Sequence, residues 1–474
     1  MSYNPKSRNA EEFINHQEIM DTLQFANENK NNEKLIEKIL NKAKKGKGLT
    51  HREACVLLEC DIEQKNKDIF YLAKKIKDDI YGNRIVMFAP LYLSNYCVNG
   101  CTYCPYHKKN KTILRKKLTQ QEIIEEVIAL EDMGHKRLAL ETGEDPINCP
   151  IEYLLESIDT IYSIKHKNGS IRRVNVNIAA TTVENYKKLK NAGIGTYILF
   201  QETYNKISYE ELHPTGPKHN YNYHTEAVDR AMEAGIDDVG CGVLFGLESY
   251  RYEFAGLLMH AEHLEAVYGV GPHTISVPRI QPAYDISPGD FENGIDDETF
   301  AKIIACIRIA IPYTGMIIST RENKDMRKKA LELGVSQISA GSLTTVGGYK
   351  DAKFGKKENS AQFEVSDQRT LDEVVRWLLK LGYIPSFCTA CYRENRTGDN
   401  FMRLSKNGKI QYCCHPNALI TLKEYLLDYA SKATKELGDK VIEDELKKIE
   451  NQKVKKTTAK CLEDIMHGKR DFRL

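Results

Sequence analysis

From residue 85 to about 345 the chain alternates eight times between a short apolar run and a segment of helical period. The runs are IVMFAPLYLS (85–94), RLALETG (137–143), RRVNVNIAA (172–180), TYILFQET (196–203), DVGCGVLFG (238–246), HTISVPRI (273–280), GMIIST (315–320) and QISAGS (337–342). Their near-continuous apolar and β-branched content is that of strands buried on both faces. The helical segments between them, such as TQQEIIEEVIALEDMG, TVENYKKLKNAG and DMRKKALELG, close on a glycine suited to a helix C-cap. Eight such units predict a TIM-type (βα)8 barrel, with an open doubly wound sheet as the alternative.

The barrel is expected to span 85–345, between an N-terminal helical extension (1–84) and a mainly helical C-terminal domain (346–474). Within the extension, Thr50 and Glu53 have the spacing of a capping box ahead of the apolar run ACVLLEC. In the C-terminal part, GGYKDAKFGKKENSAQF reads as a glycine- and lysine-rich loop and TLDEVVRWLLKLG as a helix. The net charge of +2 gives no argument for a nucleic-acid partner. No apolar stretch is long enough to span a membrane, and the first residues, MSYNPKSRNAEEF, lack the apolar core of a signal peptide. A cytoplasmic location follows as the expectation, in which the 13 cysteines read as metal or catalytic groups rather than disulfides.

Two groups of cysteines stand out. Cys97, Cys101 and Cys104 form C-x3-C-x2-C just after the first strand, on the face where barrel enzymes carry their chemistry. Three thiolates around a four-iron cluster leave one iron open to react; a zinc ion completed by His107 is the alternative. Cys388 and Cys391 form C-x2-C, and Cys414 follows after 22 residues, flanked by Cys413 and His415. This second group suits an iron–sulfur cluster with a non-protein fourth ligand; a zinc site and unliganded thiols are the alternatives. Cys149, Cys241, Cys306 and Cys461 have no partner at ligand spacing, and Cys55 and Cys60 read as buried.

The first triplet, with Tyr103 before its last cysteine, is the signature of the radical S-adenosylmethionine (radical-SAM) enzymes. The stretches YLSNYCVNGCTYCPYH, GHKRLALETGEDP, GIDDVGCGVLFGL, GPHTISVPRIQP and CTACYRENRTGDNFM resemble the radical-SAM tyrosine lyases that mature [FeFe]-hydrogenase. The C-x2-C-x22-C spacing is the hallmark of that branch, and the thiazole-pathway (thiamine) tyrosine lyases lack it. The resemblance implies that Cys97, Cys101 and Cys104 hold a [4Fe-4S] cluster whose open iron binds S-adenosyl-L-methionine. Thr142-Gly143-Glu144 stands where the family has a Gly-Gly-Glu motif for the amine of that cofactor; threonine replaces the first glycine. Glu202 stands where relatives place an acid on the ribose, and a rim ion pair is its plainer role. By the same resemblance, reductive cleavage of the cofactor is expected to give a 5′-deoxyadenosyl radical that takes hydrogen from the amino group of L-tyrosine. Cα–Cβ cleavage then gives p-cresol and dehydroglycine, the source of carbon monoxide and cyanide.

An α-amino-acid substrate calls for a cation at its carboxylate. Arg321, after strand seven, is the first candidate and Arg279, ending strand six, the second; either also suits a structural ion pair. His273 opens strand six and so belongs at the opposite end of the barrel. The resemblance makes it a ligand to an extra iron on the second, auxiliary cluster, where the diatomics, passing through the barrel interior, are assembled with L-cysteine as an Fe(CO)2(CN) unit. A reductant such as ferredoxin or flavodoxin, other hydrogenase maturation proteins and an anaerobic setting are implied with it. Two readings compete: a thiazole-pathway lyase, against which the second triplet counts, and a non-catalytic iron–sulfur scaffold, which has little use for the Thr142-Gly143-Glu144 segment.

Overall fold

The computed structural model describes residues 2–353, 355, 360–406 and 409–474. All eight predicted runs are strands: β1 (Arg84–Ser94), β2 (Arg137–Thr142), β3 (Arg173–Asn177), β4 (Tyr197–Glu202), β5 (Val239–Val243), β6 (Thr274–Ser276), β7 (Gly315–Ile318) and β8 (Gln337–Ser339). Each pairs in parallel with the next, and β8 returns to β1 through Val86↔Gln337 and Phe88↔Ser339, so the sheet closes. That pairing settles the choice between barrel and open sheet. Apart from β1, the strands are shorter than the runs predicted for them, and surplus residues at their C-terminal ends enter the rim loops that carry the site. Two strand pairs lose register at this rim, β1 with β2 between Tyr92 and Ser94, and β4 with β5 between Phe200 and Glu202. Such irregularities redirect the chain as it leaves a sheet.

Five helices precede the barrel. The helix His51–Glu59 starts on the expected capping box, with Thr50 accepting from the Glu53 N–H and the Glu53 side chain accepting in return. In the C-terminal region a ninth strand, β9 (Ile384–Ser386), lies parallel to the start of β1, pairing Arg84↔Ile384 and Val86↔Ser386. It ties this region to the barrel sheet and has no counterpart in the sequence reading. The segment read as a loop contains a helix, Gly348–Lys353, whose Tyr349 and Lys350 N–H groups donate to the Glu126 carboxylate at 3.1 and 2.6 Å; the rest of that expectation at 354 and 356–359 lies outside the described residues. No helix among the described residues is long and apolar enough to cross a membrane.

Candidate functional site

The C-terminal ends of the strands surround a cavity of about 230 Å³ lined by Cys97, Cys101 and Cys104. Backbone bonds hold the cysteine loop in place: Gly143 N–H donates to Ser94 O (3.0 Å), Val98 N–H to Glu144 O (2.8 Å) and Gly100 N–H to Thr215 O (2.9 Å). A Cβ on Gly143 would stand 2.2 Å from the Tyr96 carbonyl oxygen, so this close approach requires glycine. Thr142 ends β2 opposite Ser94, just past the register shift, and the threonine is accommodated there. Glu144 accepts from Asn99 Nδ2 at 2.6 Å; burial pushes its carboxyl above the usual range, opposed by that bond. Burial also pushes the Cys101 thiol up to about 11, and Cys104 further in the same direction. Free, these two thiols are protonated near neutrality, and a bound metal centre is what would hold them as thiolates.

Four further groups meet around the cysteines. Tyr103 O–H bonds His213 Nε2 at 2.7 Å, while His213 Nδ1 donates to Tyr209 O at 2.6 Å, which fixes the tautomer. Burial pushes His213 down to about 2, so it stays neutral. Glu202 lines the cavity in a left-handed conformation (φ 68°), its carboxylate 2.9 Å from Lys218 Nζ. The rim ion pair is therefore formed. Lys218 also lines the cavity; burial opposes its charge, but Glu202 and the nearby Cys101 more than offset this and raise its pKa. Neither Lys218 nor His213 was found from sequence, because each stands alone in an irregular segment with no ligand spacing. His107, the alternative fourth zinc ligand, bonds Asp285 at 3.0 Å and is not among the residues lining the cavity. Among the described residues no three His, Cys, Asp or Glu side chains gather as one metal ion requires.

The two arginine candidates separate cleanly. Arg321 lines the cavity with its guanidinium over the Phe363 ring, 3.5 Å from the centroid, and no carboxylate among the described residues pairs with it. Arg279 is withdrawn as a substrate anchor: its Nε donates to Glu322 at 3.0 Å, its Nη2 lies 2.8 Å from Asp297, and it covers the Phe300 ring. With two carboxylates already engaged, it has no free face for a third. Beside Arg321, Glu141 accepts from Asn177 Nδ2 at 2.8 Å, and burial pushes its carboxyl up to about 8.

At the other end of the barrel a cavity of about 50 Å³ is lined by Cys388, Cys391, Cys414, His273, Arg84 and Arg137 among others. The second cysteine group and His273 thus line one cavity, and the two flanking candidates stand outside it. Cys413 takes a hydrogen bond from Arg396 at 3.5 Å and His415 one with Glu445 at 2.9 Å, and neither lines the cavity. A hydrogen bond from Cys391, with Arg84, Arg396 and Arg137 nearby, pulls the Cys414 thiol below its ordinary range. Arg137 also donates to Cys388 O at 2.8 Å and covers the Tyr392 ring. Burial lowers the pKa of His273, so it is neutral; its Nδ1 lies 3.3 Å from Asp238 without hydrogen-bonding geometry and is otherwise unpartnered. Its Nε2 lies 3.3 Å from the Tyr392 hydroxyl, and the imidazole shares this cavity with three thiols, donor types that suit a metal centre.

The two cavities lie a short way apart along the barrel strands. Val86, Arg137, Gly315 and Gln337 line the lower one, and Phe88, Ala139, Ile317 and Ser339, two residues further along the same strands, line the upper. Two residues of a strand span about 6.6 Å, so a single layer of inward side chains divides them.

The chain matches the family model of the radical SAM superfamily over residues 91–254 and that of the biotin and thiamin synthesis associated domain over 276–384. It is 30% identical to the 2-iminoacetate synthase of Salmonella typhimurium, covering 66% of this chain and 80% of that protein. A crystal structure of HydG, described as a maturase of the [FeFe]-hydrogenase, is 55% identical with a TM-score of 0.94, covering 98% of this chain and all of the other. HydG from Carboxydothermus hydrogenoformans is 40% identical with a TM-score of 0.82, covering 96% of this chain and 99% of that one. The likeness to these maturases includes the C-terminal region with the second cysteine group.

Proposed function

Because this chain belongs to the radical-SAM family of [FeFe]-hydrogenase maturases that includes HydG, we propose that it cleaves the Cα–Cβ bond of L-tyrosine to p-cresol and dehydroglycine, and that the latter yields carbon monoxide and cyanide for an Fe(CO)2(CN) precursor. The observation that carries this reading is the stacking of two thiol-lined cavities in one barrel, with an unpaired arginine in the upper one.

Cys97, Cys101 and Cys104 would hold a [4Fe-4S] cluster, with Thr142, Gly143 and Glu144 at the amine of S-adenosylmethionine and Glu202 toward its ribose. Bound there, the pair supplies a hydrogen-abstracting radical by reductive cleavage of the cofactor. The protein's own part is positioning. Tyr103, fixed by His213, holds the cysteine loop against the cavity wall. Arg321 offers a fork to the tyrosine carboxylate. Glu141, protonated near neutrality, does not compete for it. Cys388, Cys391 and Cys414 would hold the auxiliary cluster and His273 its extra iron, within a short passage of the site where the diatomics arise.

The test is anaerobic reconstitution with iron and sulfide, followed by dithionite, S-adenosylmethionine and L-tyrosine, with p-cresol, carbon monoxide and cyanide assayed together. All three are expected from the intact protein. p-Cresol without either diatomic would point instead to the chemistry of a 2-iminoacetate synthase.

A further inference from the structure

The ten residues that follow the cysteine loop, KKNKTILRKK (108–117), contain six basic side chains and no acidic one, in a chain whose charges otherwise nearly balance. Three of the six are used internally. The Arg115 guanidinium donates to the carbonyls of Asn95 (2.6 Å), Tyr106 (2.8 Å), His107 (2.8 Å) and Asn110 (3.3 Å), which rivets the turn to the cysteine loop. Lys116 lies 3.7 Å from Asp351, and Lys117 lies over the Tyr153 ring. Lys108, Lys109 and Lys111 remain exposed, and no acid among the described residues pairs with them. Leu114, on the same turn, is 54% exposed. Asn110 stiffens the turn from within, donating to Pro105 O and accepting from the Thr112 and Ile113 N–H groups at 3.0, 3.0 and 3.2 Å.

This rigid basic turn is wired to the thiols. Lys108 N–H donates to Asn99 O at 2.8 Å, and Asn99 Nδ2 in turn lies 3.7 Å from Cys97 Sγ. His107 N–H donates to Cys104 O at 3.1 Å. Two short hydrogen-bonded steps therefore lead from the exposed turn to two of the three cysteines.

We propose that Lys108, Lys109 and Lys111, with Leu114, form the docking surface for an acidic, low-potential one-electron carrier protein, a reading that rests on the cluster assigned to Cys97, Cys101 and Cys104. One electron leaves the carrier, which is oxidised by one, and enters the cluster, which is reduced by one. Unpaired cations around a small apolar contact suit a brief electron-transfer encounter, in which charge steers the approach and the interface stays small. Salt screens such a surface strongly.

The experiment uses the reconstituted holoenzyme with S-adenosylmethionine and reduced flavodoxin as the acidic probe, and it needs no tyrosine. Flavodoxin binding and the rate of 5′-deoxyadenosine formation are measured at low and high salt, beside the rate with dithionite. Lys108→Glu/Lys109→Glu/Lys111→Glu is expected to raise the half-saturating flavodoxin concentration about tenfold or more and to leave the dithionite rate unchanged. The corresponding glutamine variants should fall between. Reversing three exposed lysines on a C-terminal helix, Lys453→Glu/Lys456→Glu/Lys460→Glu, should change neither. Flavodoxin binding indifferent to the reversals, or an equal loss with dithionite, would overturn the proposal. So would unchanged flavodoxin binding with a loss of binding to anionic vesicles, which would reassign the turn to a lipid surface. Absence of 5′-deoxyadenosine with dithionite in the unmodified protein would count against the cluster assignment instead, and flavodoxin binding would still decide the docking surface.

Discussion

The two ends of the barrel present the same donor chemistry, three thiols each, with different charged neighbours. At the upper end, burial raises Cys101 and Cys104, and the nearest cation, Lys218, is tied to Glu202. At the lower end burial raises Cys388 as well, and the hydrogen bond to Cys414 together with burial raises Cys391, but that same bond, with Arg84, Arg396 and Arg137 nearby, pulls Cys414 down. The three upper thiols stand on one short loop, within a cavity that the whole barrel lines, whereas the lower thiols and His273 meet only where β1, β2, β6 and the C-terminal region converge. Local encoding gives a site that one contact can break; distributed encoding gives one whose charge is set by residues far apart in sequence.

The sharpest way to break this comparison is to remove thiols from one end at a time. Cys97→Ala or Cys104→Ala should abolish p-cresol, carbon monoxide and cyanide together. Cys388→Ala/Cys391→Ala should keep p-cresol and lose carbon monoxide, with iron content falling by the auxiliary cluster alone. Loss of p-cresol in the second variant would show that the ends are not separable. Gly143→Ala comes next, since its new Cβ has no room against the Tyr96 carbonyl. The cysteine loop must shift, and the iron held at the upper end should drop while the lower end stays loaded, as read by spectroscopy of the reconstituted protein.

Arg321 and Arg279 sharpen the point within the upper end. Arg321→Met should lower kcat/KM for tyrosine by about 100-fold, the cost of an unanswered carboxylate, with thermal stability little changed. Arg279→Met should do the reverse. It leaves Glu322, only 2% exposed, without its guanidinium partner and should cost about 3 kcal/mol in denaturant unfolding.

That pair also shows what the chain alone discloses. Both arginines follow a strand end, and position on the rim is legible from periodicity; the partner is not. Glu322, the neighbour of Arg321 in sequence, turns to Arg279 in space. The eight strands were legible because short apolar or β-branched runs alternate regularly with helical segments, and the capping box at Thr50 because its bonds are local. β9 was not, because Pro385 sits in its middle, and a proline argues against a strand unless it lies at the edge of a sheet. Nor was the helix Gly348–Lys353, whose first turn is satisfied by Glu126 from a distant helix. The cysteine spacings named both thiol groups, but only the fold separates Cys414 from Cys413 and joins it to His273.

The smallest expected effect concerns Glu141, and it tests whether the upper end owes its free arginine to a neutral neighbour. Burial raises this carboxyl to about 8, above its ordinary value of 4.5. Between those two values the unfolded chain has lost the proton that the folded chain keeps, so stability falls as pH rises through this window and levels off above it. Glu141→Gln removes the titration while keeping an oxygen acceptor for Asn177, and should flatten that part of the stability profile. In the intact protein, ionisation above pH 8 places a carboxylate beside Arg321 and should raise KM for tyrosine a few-fold, with less effect on kcat. In the glutamine variant KM should stay flat across the same range. A KM that rises equally in both proteins would assign the alkaline loss to another group and leave Arg321 free for a reason other than the protonation of Glu141.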